Sequence, residues 1–176
     1  MNVQHSSRSD RWFTPVDIIE RSRRVLGIID LDPASEPAAN ERVKATTYYT
    51  EHNDGLYHTW SGSVFCNPPG GKKGKDSLTC LFWKQLMMCV IEGHIDHAIF
   101  LCFSVEALQN TRGKSVPSIG EFPFCVPSKR LKFDFPAGNP SFAPSHSNAI
   151  VYVPGNKRLV GLFKKEFSDL GIVIGA

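Results

Sequence analysis

Two consecutive prolines, Pro68 and Pro69, close off the apolar run Ser63-Val64-Phe65-Cys66. Proline has no N–H and a fixed φ, so a β-ladder cannot continue through both. The run is expected to be a buried strand that stops at Asn67, at the rim of whatever sheet contains it. A carboxamide side chain and rigidly held backbone carbonyls then face outward at that rim, and the rest of the chain must build its sheet around the corner.

The flanking patterns supply such a sheet. Thr14-Pro15-Val16-Asp17 has the form of a helix start, with Thr14 as cap and Pro15 at the first helical position. Val16, Ile19, Ser22 or Arg23, and Leu26 continue at helical spacing to a stop at Gly27. Residues 27–32 read as a short buried strand turned by Pro33, residues 34–45 as a helix weakened by Pro37, and Asp54-Gly55 as a turn. Residues 77–92 are apolar nearly all round, which predicts a heavily buried helix ended by Gly93. Further on, strands are expected at 97–102, 122–126, 131–135, 149–153 and 171–174. A helical turn is expected at 105–109 and an amphipathic helix at 156–170. Strands alternating with helices predict an α/β three-layer fold with ligands at the carboxyl ends of its strands. The Pro-, Gly- and Ser-rich stretch 111–147 is expected to be an irregular, substrate-facing insertion.

Composition narrows the class. The 176 residues suit one domain, residues 11–176, behind a polar leader at 1–10 that lacks the apolar segment of a secretory signal. With 41% hydrophobic residues and 12 Phe, 3 Trp and 4 Tyr, the chain is not a disordered one. No run approaches the ~18 apolar residues of a membrane span. Five cysteines, mostly inside apolar runs, are expected to be free, which points to a reducing, cytoplasmic location. The net charge of +3 neither demands nor repels a polyanion.

The corner itself suggests a chemistry. The Asn67 carboxamide and the Pro68 carbonyl are two convergent acceptors, and an –NH2 group has two hydrogens to donate. An exocyclic amine held in this way loses delocalisation of its lone pair into the ring and is aimed at an electrophile. Asn-Pro is equally an ordinary way to end a strand in a turn.

The surrounding segments occur in a telling order: Trp12-Phe13-Thr14-Pro15, Ile29-Asp30-Leu31-Asp32-Pro33-Ala34-Ser35, Tyr48-Tyr49-Thr50, Asn53-Asp54-Gly55-Leu56, Trp60-Ser61-Gly62 and Asn67-Pro68-Pro69. Together they resemble the phage-type DNA N6-adenine methyltransferases, a compact branch of the S-adenosylmethionine-dependent amino-methyltransferases. The resemblance extends into Arg130-Leu131-Lys132-Phe133 and Ser145-His146-Ser147-Asn148-Ala149, so it covers nearly the whole chain after residue 10. It implies a compact Rossmann-like methyltransferase sheet with helices on both faces, S-adenosyl-L-methionine as cofactor, and double-stranded DNA as partner. It also implies an adenine flipped out of the duplex, with no metal ion and no covalent enzyme intermediate. Asn67, Pro68 and Pro69 correspond to the motif that holds the adenine amine. Phe13, Thr14 and Pro15 match a cofactor segment, Asp30 or Asp32 would meet the cofactor ribose, and Asp54 would lie near its adenine. A monomer is the expected working state, with no separate recognition domain.

Two positions depart from the pattern. The residue after Pro69, usually an aromatic that stacks on the flipped base, is Gly70, which leaves Trp60, Phe82 and Phe142 as substitute rings. No glycine-rich cofactor loop precedes Asp30. Both also fit a DNA-binding relic with weakened catalysis, and the same corner could act on cytosine N4, an RNA base or a glutamine amide.

Gly70-Gly71-Lys72-Lys73-Gly74-Lys75 looks like a phosphate loop. A Walker pattern, however, needs four residues between its first glycine and Gly-Lys, then Ser or Thr. Here three residues separate Gly70 from Gly74, and Asp76 follows Lys75. Lys72, Lys73 and Lys75 on a flexible loop suit DNA phosphates, as do Lys129, Arg130 and Lys132; a solvated charged loop is the plainer account. Ser145, His146, Ser147 and Asn148 offer hydrogen bonds to a sugar, phosphate or base edge. Cys89, His94, His97 and Cys102 fit no common zinc spacing, and Cys66 reads as core.

Overall fold

In the computed structural model, which describes residues 13–105, 107, 111, 115–134 and 146–175, seven strands form one mixed sheet. They are β1 (Leu31–Asp32), β2 (Thr47–Tyr48), β3 (Gly62–Cys66), β6 (Ile95–Cys102), β7 (Phe124–Pro127), β8 (Ala149–Pro154) and β9 (Gly171–Ile174). Between β3 and β6, β4 (Lys72–Lys73) and β5 (Asp76–Ser77) make a separate antiparallel hairpin. The sheet order is β2-β1-β3-β6-β8-β7-β9. β2, β1, β3 and β6 run parallel, and the β6–β8, β8–β7 and β7–β9 pairs are antiparallel.

That order contains a reversal. From β1 the chain moves outward to β2, then returns to the other side of β1 to form β3. The connections leave β1 and β3 in opposite directions, and such a switch point opens a crevice at the strands' carboxyl ends.

Side-chain alternation along the central strands sorts two cores. On one face Val64, Cys66, Ala98, Phe100 and Val151 pack with Trp83 and Leu86 of α3 (Leu78–Ile91). On the other, Phe65, Ile99, Ile150 and Tyr152 meet α1 (Val16–Leu26) and the last helix, α4 (Val160–Phe167). A fourth helix, α2 (Pro37–Val43), links β1 to β2 and carries Pro37 in its first turn, where a missing N–H costs nothing. Helices thus lie on both faces, as expected. The helix at α3 is less enclosed than its composition suggested, because Met88 and Ile91 are exposed.

Local competition explains the other differences. Thr14 does not cap α1: the cap position is Pro15, without a side-chain hydrogen bond. The helix expected from Asn156 begins only at Val160, because the amides of Gly155, Asn156 and Lys157 donate to the carbonyls of Ile95 and Asp96 at the start of β6. The Leu159 amide donates to the Tyr152 hydroxyl at 2.8 Å. In the 131–135 segment the described residues form isolated bridges rather than a strand, among them that of Asp134 with Phe13. The leader, most of the helical turn at 105–109, and Phe142 and Ser145 lie outside the described residues.

Asn148 is not a free surface group. It is buried, its Oδ1 accepts from the Leu131 amide at 3.1 Å and its Nδ2 donates to the Phe103 carbonyl at 3.3 Å. It therefore ties the exit of β6 to the entrance of β8. An Asn148→Ala substitution leaves both buried backbone groups unsatisfied and is expected to destabilise the fold by about 1–3 kcal/mol. A urea midpoint equal to that of the wild type would refute this clasp.

Candidate active site

Register decides which acidic residue lies nearer Asn67. Leu31 pairs with Val64, so Asp32 is level with Phe65 and two residues, roughly 7 Å of strand, short of Asn67. Asp30 is level with Ser63: its amide donates to the Ser63 carbonyl, and its Oδ2 accepts from the Ser63 amide at 2.8 Å. That puts Asp30 four residues, roughly 13 Å of strand, from Asn67. Asp30 instead borders a recess of about 210 Å³ that it shares with Leu31, Thr46, Thr47, Tyr49, Thr59 and Ser61. The recess lacks Asp32 and Asn67, so the two carboxylates serve different places.

Asp32 is 3% exposed and accepts a 3.2 Å hydrogen bond from the Ala34 amide. Burial pushes its carboxyl up to about 7, against the pull of that amide. No Lys or Arg pairs with it among the described residues. Beside it, burial and then the Asp32 charge drive the Cys66 thiol well upward, so Cys66 stays a neutral core thiol and a poor nucleophile.

At the end of β3, Pro68 is buried, Asn67 and Pro69 are half-buried and Gly70 is exposed. No amide among the described residues donates to the Pro68 carbonyl. The Asn67 Nδ2 donates to the Thr14 hydroxyl at 3.1 Å, which is where the expected helix cap has gone. Its Oδ1 is shielded from solvent, so a substrate amine must open that cover to reach it.

Thr14 is held in place from behind. Phe13 and Asp134 exchange both backbone hydrogen bonds, at 2.9 and 3.0 Å. Arg42 of α2 pairs with the Asp134 carboxylate at 2.6 Å and lies over the Phe13 ring at 5.1 Å. Phe13 is buried, and one face of its ring is covered by Arg42. No local pattern relates residues 13, 42 and 134, so the sequence carried no signal for this clamp.

The Asp54 segment closes the other side. A Cβ on Gly55 would come within 2.1 Å of the Pro33 carbonyl oxygen, so only glycine lets this segment lie against the exit of β1. Asp54 caps the short helical turn Gly55–Tyr57 through the Leu56 amide and pairs with Lys73 at 3.0 Å. The lysine segment is thus a hairpin rather than a flexible loop, turning at Gly74 with φ of 65°. Lys73 is committed to Asp54 and Tyr57, whereas Lys72, Lys75, Arg130 and His146 are exposed. Trp60 and Phe82 belong to the core, so neither is a ring at the crevice. Cys89 and His97 lie apart: Cys89 accepts from the Trp60 amide, while the His97 ring contacts the Leu26 carbonyl and the Tyr152 hydroxyl on the opposite face.

The family model described as DNA N-6-adenine-methyltransferase (Dam) matches residues 2–95, from before α1 through the Asn67 corner to the first residue of β6. The chain belongs to this family. No curated protein and no solved structure matches the chain. The Dam match embraces Thr14, Asp32 and Asn67, the three side chains drawn to the switch point.

The buried Asp32 has a consequence for stability. Its folded-state value is raised above that of the unfolded chain, so its stabilising contribution is complete below about pH 4 and disappears as pH rises to about 7. The ceiling on that loss is about 4 kcal/mol. Asp32→Asn is expected to flatten the fall between pH 4 and 7 relative to wild type. Parallel stability curves for the two proteins would show that Asp32 is not held as described.

Proposed function

We propose that this chain transfers a methyl group from S-adenosyl-L-methionine to the N6 amine of an adenine flipped out of double-stranded DNA, on a Rossmann-like sheet. The observation that carries the reading is the placing of Asp32 and Asn67 on neighbouring parallel strands at the rim of the switch point. The residues fit the cofactor. Asp32 is a buried carboxyl that lacks a cation among the described residues, and hydroxyl groups of a ribose are neutral donors suited to it. When bound, the cofactor supplies an electrophilic methyl on a sulfonium.

Asn67 and the Pro68 carbonyl accept the two hydrogens of the adenine amine and direct its lone pair. Thr14 is a positioning residue: by accepting from the Asn67 Nδ2 it leaves the carboxamide oxygen as the acceptor. Pro69 makes the corner stiff, so little freedom is lost when the substrate docks. Catalysis is then orientation together with electrostatics in a shielded site. The base has to leave its stack to reach such a site. Lys72, Lys75, Arg130 and His146 are the exposed groups available for phosphates, with Ser145 as a further candidate. Pro15, half-buried before α1, and Phe13 serve by fixing Thr14, and Asp54 by fixing Gly55 beneath Pro33.

The test is incorporation of labelled methyl into DNA, followed by nucleoside analysis for N6-methyladenine. Asn67→Ala is expected to lower transfer by about 10²–10³-fold while calorimetric cofactor binding persists. Thr14→Val should lower kcat more than KM, and Thr14→Ser should restore it. Undiminished transfer by Asn67→Ala would remove that residue from its role, and N4-methylcytosine as the product would change the substrate.

A further inference from the structure

Tyr57 is 76% exposed and is the sole aromatic among the large apolar side chains left exposed in the described residues. An exposed ring is ordinarily free to move, but this one is held. The Lys73 ammonium donates to its hydroxyl at 3.2 Å and sits 4.7 Å from the ring centroid. Lys73 is itself fixed by Asp54 at 3.0 Å, and Asp54 is fixed by capping the Leu56 amide at 3.1 Å. The two attachments of this unit both lead to the crevice. Gly55 abuts the Pro33 carbonyl beyond Asp32, and Lys73 belongs to the hairpin that follows Pro69. At Gly70 an added Cβ would meet nothing within 4 Å, so the position that follows the double proline is open.

We infer that Tyr57 is a stacking platform for an unpaired DNA base at the rim of the crevice, with Lys73 and Asp54 as its positioning residues. The inference rests on the DNA methyltransferase reading and adds the surface that receives the extruded base. With the Lys73 ammonium over one face of the ring, the opposite face is left for an incoming base, and such stacking does not depend on sequence. Lys73 serves here to orient the ring rather than to neutralise a phosphate.

The experiment titrates the full chain into a duplex carrying 2-aminopurine opposite an abasic site, where extrusion costs little. Wild type should bind and quench the 2-aminopurine fluorescence. Tyr57→Ala should bind roughly tenfold more weakly and lose the quenching, while Tyr57→Phe and Tyr57→Trp stay within about twofold of wild type. The salt dependence of binding should be unchanged in all three, since no phosphate contact is removed. Release of Lys73 by Tyr57→Ala would favour phosphate binding and tighten the complex, the opposite of the expected direction. Tyr57→Ala that binds and quenches like wild type overturns the role of Tyr57 and leaves the enzymatic reading standing. Tyr57→Phe as weak as Tyr57→Ala also overturns it, because the hydroxyl and not the ring face would then matter. A wild type that binds no DNA and methylates none overturns the reading beneath it.

Discussion

The pairing of β1 with β3 carries the site. Asp30 and Ser63 lock the two strands through a backbone bond and a carboxylate–amide bond, and that register sets Asp32 and Asn67 on one rim. A slip of β1 by one residue would turn its side chains to the opposite face and take Asp32 out of line with Asn67. The double proline then ends β3 without an alternative, because neither residue can donate to a neighbour. Every other part of the site is arranged around this rim: Thr14 from before α1, Gly55 under Pro33, and the hairpin that carries Lys73 back toward Asp54.

The rim is costly to maintain. Asp32 is buried without a cation among the described residues, and the Asn67 oxygen is shielded from solvent. Buried polar groups of this kind weaken a fold unless their hydrogen bonding is complete. The sheet behind them offsets the cost with two apolar cores, one under α3 and one under α1 and α4. Ion pairs between α1 and the end of α4, Arg21 with Asp169 just beyond that helix and Arg24 with Glu166, each keep one partner exposed and add little by comparison. A fold that keeps polar groups dry at one place and apolar groups packed elsewhere behaves as a scaffold for chemistry at that place.

Much of this was legible in the chain. The strand ended by Asn67, the helix after Pro15 and the alternation of strands and helices follow from local rules of proline, spacing and burial. Where the outcome differed, a distant partner won. Thr14 has a cap's sequence position, yet its hydroxyl serves Asn67, 53 residues away. Asn156, Lys157 and Leu159 have helical spacing, yet their amides serve β6 and Tyr152. Lys73 looked like one of three equivalent lysines until Asp54 and Tyr57 engaged it. Which of Asp30 and Asp32 lies nearer Asn67 depends on strand register, which no single segment encodes. Arg42, Asp134 and Asn148 act across the chain and had no local signature as structural residues.

The central claim is that the switch point between β1 and β3 holds the methyl donor on Asp32 and presents the acceptor amine at Asn67. A crystal structure of the chain with S-adenosylhomocysteine tests it most directly. The expected result is a ribose whose hydroxyls meet the Asp32 carboxylate, with the sulfur turned toward Asn67. A ribose seated instead against Asp30, in the recess lined by Thr46 and Thr59, would contradict it.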